Sequence, residues 1–229
     1  MNVQRDSVSV SVSVSSWRSA RLFVTDEFTA PPVILRVDDS VIGTLGNFSA
    51  STGKAKSKKT FNVCAIVAAA LTCGTVLNYS ASLPPERRRI LYVDTEQSRF
   101  HCKQVLCRIL RLAGLPTDAH PPLLEFLCLR GYATKERLRK IEEAIYDLDD
   151  LGLVVIDGIR DLAHDINSPG EATDLITKLM QWTDERRIHI HTVLHLNKGD
   201  DNTRGHLGTE LNNRPRRCCK LPKTISTAI

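Results

Sequence analysis

Gly53-Lys54-Ala55-Lys56-Ser57-Lys58-Lys59-Thr60 satisfies the pattern G-x-x-x-x-G-K-[ST] at every defined place except the second glycine, where Lys58 stands. The stretch follows a predicted strand over 46–50 and opens a predicted helix over 61–71. In that setting the first N–H groups of a helix cradle phosphates, Lys59 reaches the β and γ oxygens, and the Thr60 hydroxyl joins a Mg²⁺ shell. Gly53, Lys56, Ser57, Lys58, Lys59 and Thr60 would line the cradle. Lys58 gives up the positive φ that glycine adopts freely, at a cost of about 1 kcal/mol. Four lysines between 54 and 59 oppose the positive end of the helix dipole unless an anion sits there. The alternative is a plain lysine-rich helix start.

Two apolar strands end in acids. The strand over 153–157 (LVVID) ends in Asp157, as expected of a carboxylate that orients Mg²⁺ or its waters. The strand over 89–94 (RILYVD) runs into Thr95-Glu96, so Glu96 stands just beyond the sheet edge. There it either accepts a proton from water attacking a γ-phosphate or caps the helix that follows. His189, His191 and His195 share one face of a strand over 188–196. His195 is at the C-terminal end, where it can hydrogen-bond a phosphate or the attacking water. His189 and His191 read as core residues, with a zinc site as the other option.

The elements that must carry these residues alternate. Helices are predicted over 61–71, 97–113, 134–148 and 169–186, and strands over 89–94, 124–129, 153–157 and 188–196, with Thr134 and Ser168 as helix caps. Strands separated by single helices imply right-handed crossovers and a mostly parallel sheet, an α/β fold with its ligand at the C-terminal strand ends. The chain of 229 residues allows one full domain. Residues 1–40 read as an arm, partly disordered or edge-pairing, in which 7–15 alternate serine and valine; 41–213 form the domain. Residues 214–229 are a basic tail.

The tail holds Arg214, Arg216, Arg217, Lys220 and Lys223 and no acid, which leaves 1–213 neutral, so a nucleic-acid contact has to come from local patches. Seven scattered cysteines without a C-x-x-C pair favour free thiols in a cytoplasmic setting. The longest apolar stretch, VCAIVAAAL, is too short for a membrane span.

Phosphate loop, strand-Asp-Thr-Glu, strand-Asp and strand-His come in an order that resembles the RecA-like ATPases, in particular the RepA/DnaB helicase-like branch carried by bacterial mobilizable elements. The resemblance covers roughly 41–213 through GKAKSKKT, LYVDTE, LVVIDGIRD and VLHLNKGDDNTRGHLGTELNN. It implies a RecA-like fold with ATP and Mg²⁺ as cofactors. Lys59 and Thr60 would hold phosphate and metal, Glu96 would be the catalytic base, Asp157 the strand-end acid and His195 a γ-phosphate sensor. Lys198 and Arg204 would reach into a neighbouring subunit's site, their bland alternative being a solvated loop. It also implies single-stranded DNA as partner, a homo-oligomeric ring and a helicase-like ATPase role in replication or mobilisation. The alternatives are a nucleotide-binding regulatory or assembly module without hydrolysis, suggested by Lys58 and by the loss of a terminal strand, and a small-molecule kinase. After Asn213 the family would add a core strand, whereas 214–225 can be read one base out of frame as AETVLQVTKDN. The expectation is therefore a frameshift-derived tail without that strand.

Overall fold

The computed structural model describes residues 16–53, 59–165, 167–195, 207 and 218–220. In chain order the elements are β1 (Val33–Val37), β2 (Ser40–Thr44), β3 (Asn47–Gly53), α1 (Lys59–Thr72), β4 (Thr75–Val76), β5 (Tyr79–Ala81) and β6 (Arg89–Asp94). There follow α2 (Arg99–Leu112), β7 (Leu124–Cys128), α3 (Thr134–Asp147), β8 (Leu151–Asp157), α4 (Pro169–Arg186), β9 (His189–His195) and β10 (Cys218–Lys220). The chain divides into two compact units, Met1–Ala30 and Pro31–Ile229. In the first, Ser16–Ala20 form a 3-10 turn, and the Arg21 guanidinium lies 4.7 Å from the Phe23 ring centroid. The serine–valine stretch lies outside the described residues.

The second unit contains a sheet in the order β10-β3-β9-β8-β6-β7, with every pair parallel. Period-2 alternation divides its side chains between two cores. Ile90, Tyr92, Leu153, Val155 and Val193 face α1 and α2, whereas Leu91, Val93, Val154, Ile156 and Ile190 face α3 and α4. Trp182 of α4 is fully buried in the second core, and its Nε1 donates to Glu142 of α3 at 3.1 Å.

A four-stranded antiparallel sheet, order β2-β1-β5-β4, covers the first core from outside. Its β4–β5 hairpin is absent from the expectation because the turn runs through Leu77 at φ 55°, a residue type that gives no turn signal. This second layer explains α1, whose side chains from Asn62 to Leu71 are all buried. A helix between two apolar layers has no solvent face, and its alanines let both layers approach closely.

Three helix starts and the tail differ from expectation. α1 begins at Lys59 and so includes the lysine of the phosphate loop. α2 begins at Arg99, because Gln97 is held in the preceding turn. Ala133, and not Thr134, is the N-cap of α3, without a side-chain cap. The tail supplies β10, whose Cys218, Cys219 and Lys220 pair with Ala50, Ser51 and Thr52. Edge pairing uses main-chain amides and needs no apolar alternation.

His189 and His191 are buried, and all four of their ring nitrogens are engaged. Thr44 O lies 2.9 Å from His189 Nδ1, Ser49 Oγ lies 2.8 Å from both His189 Nε2 and His191 Nδ1, and Ser51 Oγ lies 2.9 Å from His191 Nε2. A carbonyl can only accept, so His189 Nδ1 donates to Thr44. The protons then follow in order: Ser49 donates to His189, His191 to Ser49, and Ser51 to His191. The ladder ties β2 of the outer layer to β3 and β9. Gly43 makes room for it, since a Cβ there would stand 2.9 Å from His189 Nε2.

Burial lowers the pKa of His189 to about 4 and that of His191 to about 3. Both rings fold neutral, so their contribution is complete above the unfolded value of 6.5 and is lost as pH falls below it. Each costs about 1.4 kcal/mol per pH unit in that window, and below pH 6 the raised carboxyl of Asp157 offsets about one histidine's share. Denaturant unfolding should therefore show a net loss of about 2 kcal/mol between pH 6.5 and 5. A flat profile would mean that the rings carry protons inside the fold.

Candidate nucleotide site

Parallel pairing brings four strand ends to one edge. Gly53 ends β3 opposite His195 at the end of β9, and Asp157 ends β8 between Val193 on one side and Asp94 on the other. Every sequence-predicted strand-end residue thus stands on the same C-terminal rim. Lys56, Ser57, Lys58, Lys198 and Arg204 lie outside the described residues, and His195 is placed by its backbone alone.

Lys59 is the first residue of α1 and only 5% exposed. Its Nζ donates to Gly53 O at 2.6 Å, which folds the ammonium over the end of β3. Burial lowers its pKa, while the carboxylates of Asp157 and Glu96 act to raise it. Thr60 Oγ1 donates to Asp157 Oδ2 at 3.3 Å, and Tyr92 OH donates to the same oxygen at 3.0 Å. Tyr92 is positioned by stacking on Phe126 of β7 at a centroid distance of 4.5 Å. Burial first, and then Asp94, push the Asp157 carboxyl up to about 6. A carboxylate and a hydroxyl in contact are hard oxygen donors, the kind Mg²⁺ takes. Among the described residues, Thr52 Oγ1 at the end of β3 is buried without a hydrogen-bond partner. Mg²⁺ thus fits the oxygen donors of Thr60 and Asp157.

The turn after β6 is built by a residue that sequence reasoning passes over. Asp94 is buried; its Oδ1 accepts from Glu96 N at 3.0 Å and Gln97 N at 2.7 Å, and its Oδ2 accepts from Gln97 Nε2 at 2.7 Å. Asp94 therefore closes the turn, α2 starts from Ser98 without a side-chain cap, and the Glu96 side chain is exposed on the rim, within electrostatic reach of Lys59 and Asp157. Thr95 locks the turn to β8: its N–H donates to Asp157 O at 3.2 Å and its hydroxyl to Gly158 O at 2.8 Å.

Arg137 secures the rim from α3. Its guanidinium donates to Leu129 O, Arg130 O, Tyr132 O and Asp161 O at 2.8–3.2 Å, so one planar fork gathers the loops after β7 and β8. An aspartate at a strand end and an arginine in a helix's first turn carry no such signal in sequence, because their partners are remote.

A family model described as "AAA domain" matches residues 18–201. The chain belongs to the AAA-domain family. Its α/β architecture is that of a RecA-like P-loop core, and AAA domains generally bind nucleotide with Mg²⁺. No curated protein matches the chain. No helix among the described residues is long and apolar enough to cross a membrane.

In this AAA domain the two acidic strand ends meet at Gly158, which has φ +100°. A Cβ there would stand 2.2 Å from Thr95 Oγ1 and 2.9 Å from Glu96 Cγ. Gly158→Ala should therefore displace the Glu96 turn and cost about 1–3 kcal/mol. Thermal unfolding reads the cost, and an unchanged midpoint would show that the turn yields freely.

Proposed function

We propose that this AAA domain binds and hydrolyses ATP as a helicase-like motor in the replication or mobilisation of a mobile DNA element. The observation that carries the hydrolytic reading is the convergence of Lys59, Thr60, Asp157 and Glu96 on one sheet edge from three separate strand ends. The DNA role rests on the motif order shared with the RepA/DnaB branch, whose members work as rings on single strands.

In this reading the amides from Gly53 through Lys58 cradle the phosphates, and Lys59 leaves Gly53 O to neutralise the β and γ oxygens. Thr60 and Asp157 would hold Mg²⁺, which would supply neutralisation of the phosphate charge when bound. Glu96 takes the proton of the attacking water, its backbone fixed by Asp94 so that little is reorganised at the moment of reaction. His195 hydrogen-bonds the γ-phosphate from the end of β9. Lys198 and Arg204 serve the site of an adjacent copy. Lys58 in place of glycine favours the second reading, a nucleotide-binding module that does not turn ATP over.

Three variants test the assignment in assays of ATP binding and of hydrolysis with and without single-stranded DNA. Lys59→Ala should abolish nucleotide binding or turnover while leaving the unfolding transition in place; retained affinity would move the site elsewhere. Glu96→Gln should keep ATP binding and lose hydrolysis by about 10² or more. Full hydrolysis in that variant would remove Glu96 from the chemistry, and absence of hydrolysis in the unaltered chain would favour the second reading.

Arg204→Ala should remove turnover by about 10³ or more with ATP binding intact. Mixing it with Lys59→Ala should restore part of the activity, because one hybrid interface pairs an intact phosphate loop with an intact arginine. Mixed rings that form without rescue would place Arg204 outside the neighbour's site.

A further inference from the structure

Beside the site, two thiols meet at the same rim. Cys102 is in the first turn of α2, 1% exposed, with its N–H donating to Ser98 O at 2.9 Å and its Sγ 3.6 Å from Gln97 O. Cys128 ends β7 directly opposite Asp94 in the parallel register. Burial raises the pKa of the Cys102 thiol, as do the neighbouring Asp94 carboxylate and Cys128 thiol, so Cys102 rests as the protonated thiol. Cys128 is half-buried and lines an open cleft of about 590 Å³ together with Gln97, Ser98, Arg99, Arg130 and Tyr132. One thiol is thus reachable from solvent, and the other waits behind it. The other cysteines whose side chains are described are placed differently: Cys64 is buried in α1, Cys73 accepts from Leu83 N at 3.3 Å, and Cys107 is half-buried in α2.

We propose that Cys102 and Cys128 are a modification site for peroxides, closing reversibly to a disulfide that displaces the Glu96 turn and slows hydrolysis. The consequence for activity rests on the ATPase reading above, whereas the linkage itself does not.

The chemistry balances with one peroxide. The Cys128 sulfur attacks a peroxide oxygen, the O–O bond breaks, and the thiol proton leaves with the departing hydroxide as water, giving a sulfenic acid. The Cys102 sulfur then attacks the Cys128 sulfur, and the S–O bond breaks. Its proton passes through the adjacent Asp94 carboxylate to the departing hydroxide, which leaves as a second water. The two thiols lose two electrons in all, and the peroxide gains them.

A disulfide holds its sulfurs at about 2.05 Å and its Cβ atoms at about 3.5–4.5 Å, so it would tie the first turn of α2 covalently to the end of β7. That turn follows directly on Ser98, and the segment before it is held through Asp94 by the amides of Glu96 and Gln97. Asp94 also loses its thiol neighbour. The covalent tie therefore acts on the backbone that presents Glu96.

The test treats the full chain with hydrogen peroxide, alkylates the remaining thiols and maps peptides by mass spectrometry without reduction, with ATP hydrolysis measured before oxidation, after it, and after dithiothreitol. The expected result is a peptide joining Cys102 to Cys128, loss of hydrolysis by about 10² as for a misplaced general base, and recovery on reduction. Cys128→Ser and Cys102→Ala should each keep hydrolysis under the same peroxide dose. Oxidation of Cys107 without a 102–128 linkage overturns the proposal, and so does a linkage that leaves hydrolysis unchanged. If the reduced chain hydrolyses no ATP, the ATPase reading alone fails. Amide exchange at Glu96 and Gln97 then decides: it should quicken in the linked protein, and unchanged exchange overturns the proposal.

Discussion

A carboxylate buried at a strand end has to be satisfied by donors, and the way Asp94 is satisfied organises the rim. Three hydrogen bonds from Glu96 and Gln97 wrap the chain around its two oxygens. Two consequences follow from the wrapping: Glu96 is turned outward, and α2 cannot start before Ser98. Asp157, its register partner on β8, is satisfied by Tyr92 and Thr60, and its carboxyl stays high because burial and the Asp94 charge both oppose ionisation. The two acids differ in environment and therefore in use. Asp94 is committed to holding its own turn, whereas Asp157 shares one oxygen with a hydroxyl that a cation can claim.

These buried polar groups demand rigid support, which the layers supply. α1 begins at the phosphate-loop lysine and from Asn62 onward is packed between two apolar layers of the first core, so its first turn is anchored by a helix body that cannot shift without both layers. The Ser–His ladder fastens β3 and β9 to the outer sheet through a single ordered run of protons from Thr44 to Ser51. It ends two residues short of Gly53, which accepts the Lys59 ammonium. Arg137 does the same for the loops after β7 and β8. A buried polar network of this kind contributes little net stability but penalises any alternative arrangement that leaves one member unpaired.

The close approaches work in the same direction. Gly43 admits the His189 ring and Gly158 admits Thr95 and Glu96, each at a distance that a Cβ would forbid. Both contacts join elements remote in the chain, and at both the missing side chain is what lets a polar group reach its partner.

Element types and order were legible in the residues themselves because they depend on local signals. Apolar runs closed by Asp94 and Asp157, the Ser168-Pro169 start of α4, and a glycine-and-lysine loop before an apolar helix each act within a few residues. The family match is consistent with those motifs. Which strands are neighbours, and therefore which residues share the rim, was decided only by tertiary structure. The β4–β5 hairpin pairs with β1 some forty residues earlier, and β10 pairs with β3 from the far end of the chain. The roles of Asp94, Arg137 and Gly158 were hidden for the same reason: a hydrogen bond to a remote carbonyl, or a clash that a missing Cβ avoids, leaves no periodicity in sequence. Local propensity selects a helix or a strand, whereas the partner of a buried polar atom is selected by whatever the whole fold brings within 3 Å of it.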